Sequence, residues 1–150
     1  MTPQEERDLL LRVVTQVAEK KLSEGGFVPF GATLGSERDV KILLPKTMKP
    51  GVTKAELDAY WTQALRKAAA EGDCKTVCSC ANVRFEENPG EMVSAIHIHI
   101  EHAEAYSANV LCPYRHEGGS RVIFGEPQVE PSEHQVFARD AEETAKSRIN

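Results

Sequence analysis

Several signals that would name a function outright are missing from this chain. It has no block of Lys or Arg and no basic stripe, and its 18 Lys and Arg against 23 Asp and Glu leave a formal net charge of -5. That balance argues against nucleic acid or an anionic membrane as the partner. No apolar run approaches the roughly 20 residues of a membrane span. The first eight residues, Met1 to Asp8, are acidic where a signal peptide is basic, so the expected location is the cytoplasm. There is no Gly-x-Ser-x-Gly elbow, no phosphate-cradling Gly-x-x-x-x-Gly-Lys, no Gly-x-Gly-x-x-Gly and no His-Glu-x-x-His. The carboxylate pairs Glu86-Glu87 and Glu142-Glu143 stand beside a turn and in a polar tail, where a solvated surface accounts for them.

Cysteine and tryptophan are scarce. The four cysteines, Cys74, Cys78, Cys80 and Cys112, read in a cytoplasmic setting as reduced thiols rather than a disulfide framework. Trp61 is the only tryptophan, and on an amphipathic helix it reads as a core anchor.

What is present is an ordinary globular pattern. The 150 residues are 41% apolar and 27% charged, and a chain of this size buries roughly two-thirds of its unfolded surface as one domain. Thr2-Pro3-Gln4-Glu5 opens a helix with a Thr N-cap, Pro at the first helical position and Glu at N3, and Leu10, Val13, Val14 and Val17 follow at helical spacing. Phe27 to Leu34 and Val40 to Leu44 alternate with period two around the turn at Gly35 to Asp39, which makes a hairpin with Pro29 at its start or at a bulge. The Lys46 to Val52 stretch reads as connector with a Lys49-Pro50-Gly51 turn. A second capped helix begins at Thr53-Lys54-Ala55-Glu56, buries Leu57, Tyr60, Trp61, Ala64, Leu65 and Ala68, places Arg66 and Lys67 near its negative end, and stops at Gly72.

Three strands complete the pattern: Lys75 to Glu86, Val93 to Glu101, and Ala108 to Tyr114. Short connections between them make the sheet antiparallel. Arg121 to Phe124 reads as a further short extended piece. The expected fold is therefore α+β, a five-stranded antiparallel sheet with two amphipathic helices in the order α-β-β-α-β-β-β. Both helices are expected on the face containing Ile96, Ile98 and Ile100. Residues 1–126 form the expected domain, and 127–150 a partly ordered polar tail.

The order of these elements resembles that of profilin-like and Roadblock-like domains, and the resemblance implies a sheet ordered 2-1-5-4-3. Phe27-Val28-Pro29-Phe30-Gly31-Ala32, the Thr53-started helix, Ile98 to His102 and Cys112-Pro113-Tyr114 resemble landmarks of a family of small bacterial proteins. That resemblance spans roughly residues 25 to 126 and implies a bacterial origin but no activity.

The strand Val93 to Glu101 carries the sharpest chemical question, because Ile96, Ile98 and Ile100 line one face while His97, His99 and Glu101 line the other. If the preceding turn centres near Asn88-Pro89 and the apolar residues of both strands share a face, Cys80 lies across from His97 and Cys78 across from His99. With strands about 4.8 Å apart and alternate residues about 6.8 Å apart, Cys78, Cys80, His97 and His99 would ring one point above the sheet, a common zinc set, with Glu101 as nearest substitute or neighbouring ligand. Cys112 reads as an inert core thiol, Cys74 as solvent-reaching, and His102, His116 and His134 as solvated histidines in loop or tail.

No catalytic or cofactor-binding residue is assigned. The leading expectation is a non-catalytic interaction or regulatory module that binds a protein partner or itself, as a homodimer, through the second sheet face or a sheet edge. The alternatives are a zinc-binding protein or metal-dependent hydrolase using the Cys/His set, and a toxin-neutralising immunity protein.

Overall fold

The computed structural model describes residues 1–45 and 51–137. The Lys49-Pro50 part of the connector turn and the tail from residue 138 onward lie outside the described residues. Two helices, α1 (Pro3–Ser23) and α2 (Lys54–Gly72), accompany the strands β1 (Phe30–Leu34), β2 (Val40–Leu43), β3 (Thr76–Asn88), β4 (Glu91–His102), β5 (Tyr106–Glu117), β6 (Arg121–Phe124) and β7 (Gln128–Pro131). Both helix starts follow their caps. The hydroxyls of Thr2 and Thr53 accept the backbone N–H groups of Glu5 and Glu56 at 3.1 and 3.2 Å, and each hydroxyl donates to the same glutamate's carboxylate at 3.2 Å.

All strands form one antiparallel sheet in the order β2-β1-β3-β4-β5-β6, with β7 also paired to β5. The sheet thus has more strands than the expected five. β6 and β7 lie end to end along the same edge of β5, against Tyr114 to Glu117 and Ala108 to Leu111 respectively. The described part of the stretch read as a polar tail therefore adds a strand to the sheet. The order also departs from 2-1-5-4-3, since β3 rather than β5 is the neighbour of β1. The β3–β4–β5 meander runs away from β1 instead of back toward it.

The helices lie on opposite faces, not together on the isoleucine face. Helix α1 buries Leu10, Val14, Ala18 and Leu22 against Phe30, Ala32, Cys78, Cys80, Ile96, Ile98 and Ile100. Helix α2 crosses the other face, where Trp61, Leu65 and Ala69 pack with Cys74, Val77 and Val136. Gly31 explains how α2 seats there. A Cβ at this position would stand 2.8 Å from Trp61 Cζ3, so only glycine lets the indole rest on β1.

The β3–β4 register separates cysteine from histidine. Cys78 is across from Ile100, Ser79 from His99, Cys80 from Ile98 and Ala81 from His97. The two-residue turn Pro89-Gly90, with Gly90 at φ 83°, pairs Asn88 with Glu91, and an irregularity then leaves Glu87 without a partner so that Glu86 faces Met92. One extra residue on one strand moves every preceding side chain of β3 to the other face. The expected Cys80–His97 and Cys78–His99 pairings are corrected accordingly.

Candidate functional site

The second face of the sheet, under α2, holds a hydrogen-bonded chain of four side chains. Alternation in β4 puts His97, His99 and Glu101 on this face, and the β4–β5 register sets Asn109 directly across from His99. Glu101 Oε2 and His99 Nε2 are 2.6 Å apart, His99 Nδ1 lies 2.9 Å from Asn109 Oδ1, and His97 Nε2 lies 3.2 Å from the same oxygen. Glu101 is fully buried and His99 nearly so.

A buried carboxylate needs partners for its remaining lone pairs. Residues 132–137, which follow β7, supply them as a strap across the sheet end. The strap begins where Ser132 N–H donates to Ser107 C=O at 2.9 Å, and the two serine hydroxyls are also 2.9 Å apart. His134 Nε2 donates to His102 C=O at 2.8 Å. The backbone N–H groups of Gln135, Val136 and Phe137 then all converge on Glu101, at 2.9 to 3.2 Å. From the opposite side, Arg66 of α2 donates to the carbonyls of Gln135 and Val136 at 2.6 and 3.0 Å. Arg66 therefore grips the strap in addition to lying in the later part of its helix.

These contacts set the charges. Burial pushes the Glu101 carboxyl upward, but the bond from His99 and the three backbone donors outweigh it and leave the group below its usual value. Burial likewise pushes His99 down, while its bonds to Glu101 and Asn109 outweigh that and raise it. His97 is lowered, first by burial and also by the neighbouring His99, against the bond to Asn109. Geometry agrees with these directions. The ionised Glu101 requires a proton on His99 Nε2 and the Asn109 oxygen requires one on Nδ1, so His99 is an imidazolium paired with Glu101. His97 donates through Nε2 and stays neutral, which leaves its Nδ1 as an acceptor with no partner among the described residues.

The signs fix an expected pH dependence. His99, raised in the fold, contributes stability that is fully present below its unfolded value of about 6.5 and is lost as pH rises through the folded value. Glu101, lowered in the fold, contributes stability present above about pH 4.3 and lost as pH falls through its folded value. Lys54 and Asp58 at the mouth act on His97 with opposite signs. Urea midpoints measured from pH 5 to 9 are therefore expected to show the wild type's advantage over His99→Gln shrinking on the alkaline side.

Between this chain and α2 lies a cleft of about 350 Å³. Leu57 and Trp61 contribute from the helix, Ser79, His97 and Asn109 from the sheet, and Gln135 and Val136 from the strap, while Lys54 and Asp58 stand at the mouth. The sequence-predicted set is split by this geometry. His97 and His99 line the cleft together, whereas Cys78 and Cys80 point to the α1 face, so the four-ligand zinc set is not assembled. Among the described residues no three or more His, Cys, Asp or Glu side chains are placed so that they could hold a metal ion.

The remaining predicted positions also resolve. All four cysteines are free and buried, Cys74 included, with its thiol 3.6 Å from Gly72 C=O. Burial pushes Cys78 to about 12 and raises Cys80 and Cys112, which makes all three poor nucleophiles. His102 is buried beneath α1, where its Nδ1 accepts from Glu104 and Ala105 N–H at 3.1 Å and its Nε2 faces Glu6 at 3.4 Å. Of His102, His116 and His134, expected to be solvated in loop or tail, only His116 is exposed, and it stands in β5 rather than in a loop. Sequence reasoning does not single out Asn109 or the strap, and it reads Arg66 only as a helix-end charge. Alternation in β5 places Asn109 on the histidine face, but contacts made through strap backbone leave no side-chain pattern to read.

No helix among the described residues is long and apolar enough to cross a membrane. Compared with protein-family models, curated proteins and solved structures, the chain finds no match.

Proposed function

We propose that this protein is a non-catalytic regulatory module that binds a small molecule in the cleft between α2 and the second sheet face. The observation that carries this reading is the preorganised floor, where Glu101, His99 and Asn109 lock His97 in one orientation beside an apolar wall from Leu57 and Trp61. Pockets that bind small molecules combine such walls with a few fixed polar groups. Ser79, the hydroxyl residue across from His99, meets a ring whose two nitrogens are already bonded, which supports binding over hydroxyl activation. A fragment library titrated into the ¹⁵N-labelled protein is expected to yield ligands that shift His97, Asn109 and the single indole N–H of Trp61 as a group. Absence of any such grouped shift at millimolar ligand would remove the reading.

A second reading, self-association through the same face, rests on a different observation. Helix α2 lies over β1 and β3. Farther out, Val83, Phe85, Val93, Leu111, Pro113 and Ile123 share the second face and are only half-buried, an apolar patch suited to a second copy. Sedimentation equilibrium is expected to give a dimer that Phe85→Glu converts to monomer. A wild-type monomer at high concentration would exclude it.

A further inference from the structure

We infer that the cleft under α2 selects an uncharged heteroaromatic ring that carries an N–H donor, an inference that rests on the small-molecule reading of this cleft. Three observations define the ligand. The first is size and surface: about 350 Å³ between a helix and a sheet stands at the small end of ligand pockets and suits one or two fused rings, with Leu57 and Trp61 supplying apolar contact.

The second is charge. At the cleft floor the ionised pair of His99 with the buried Glu101 is already matched within itself at 2.6 Å, and Glu101 is further saturated by three backbone N–H groups. At the mouth, Lys54 and Asp58 carry opposite charges one turn apart on α2, so together they add no net charge. A charged ligand would surrender its hydration and meet no net opposite charge among the described lining residues, so the site favours a neutral one.

The third is the direction of the hydrogen bond. Asn109 Oδ1 accepts from both rings, which fixes the His97 proton on Nε2 and leaves Nδ1 as a lone-pair acceptor. Serine and threonine hydroxyls in the lining turn to suit either role, whereas His97 Nδ1 is fixed as an acceptor, and the indole N–H of Trp61 and the amide NH2 of Asn109 are fixed as donors. A ligand must offer it a donor. An acceptor placed there would face a second lone pair and leave both atoms unpaired.

Benzimidazole and 1-methylbenzimidazole, which share the ring system and neutrality at pH 7.5 and differ by a methyl group in place of the N–H, test this on the full chain. Followed through the Trp61 indole N–H and His97 ring resonances, benzimidazole is expected to bind about tenfold more tightly, the change that one unmade hydrogen bond produces. His97→Phe is expected to abolish the difference and His97→Gln to retain part of it. Equal binding of the two compounds overturns the inference, and that comparison needs no variant to fold. If neither ring binds while acetate, citrate or a primary amine moves the same resonances, the assigned ligand class fails and the cleft reading survives. If no probe moves them, both fail.

Discussion

Replacing Glu101 with alanine is expected to lower the unfolding free energy by about 3–5 kcal/mol, the range found when one partner of a buried ion pair is removed. The size follows from what is left behind. Three backbone N–H groups, from Gln135, Val136 and Phe137, lose their shared acceptor, and the His99 imidazolium loses its counter-charge in a nearly water-free place. His99 can shed its proton to relieve part of this cost, but the amide donors cannot. Glu101→Gln keeps an acceptor oxygen for the strap and should fall between the alanine variant and the wild type. Urea unfolding at pH 6 measures both, and a loss below about 1 kcal/mol for Glu101→Ala would show that the strap contributes little to the folded state.

Ile98→Ala is expected to cost about 2–5 kcal/mol, through lost transfer energy and the cavity left between α1 and the sheet. Ile98 is fully buried at the centre of the sheet, between Cys80 of β3 and Val110 of β5. Such a site has little freedom to collapse, because its neighbours are held by ladders on both sides. For a domain of this size the loss corresponds to a fall in melting temperature of roughly 2–4 °C per kcal/mol. Met92→Ala on the same strand, at 53% exposure, should stay within about 0.5 kcal/mol and serves as the control. Thermal and urea unfolding of the pair would contradict the core assignment if the two variants were equally stable.

That isoleucine face was legible because its signal is intrinsic to one strand: alternation needs no partner to be read. The capped starts of α1 and α2 were legible for the same reason, since Thr53 and Glu56 meet within one turn. The face assignment of β3 depended on a second strand, and there one residue decided it. A reading centred on Asn88-Pro89 put Cys78 and Cys80 with the histidines, whereas the Pro89-Gly90 turn followed by the unpaired Glu87 sends them toward α1. No composition rule marks Glu87 as the extra residue. The isoleucines mark one core in the sequence, and nothing comparable marks a second on the opposite face. The second core is built from Gly31, Val77 and Val136, small or distant residues whose role appears only once Trp61 is placed against them. β7 was hidden by its flanking prolines and polar sequence, which suit an edge strand as well as a tail.

The candidate site was half legible. His97, His99 and Glu101 were placed on one face correctly by period alone, and Glu101 was singled out beside the histidines. Its place is that of a counter-charge, because its other oxygen is filled by amides more than thirty residues away in sequence.

That separation carries a consequence for biosynthesis. A chain that emerges N-terminus first presents α2 and then β4 before residues 135–137 emerge, so Glu101 meets His99 first and waits for its amide partners. Until Phe137 emerges, the carboxylate faces an open sheet end and water reaches the floor of the cleft. The last described residues to be synthesised are thus the ones that shut the wall, and the pocket is completed only after the sheet that supports it.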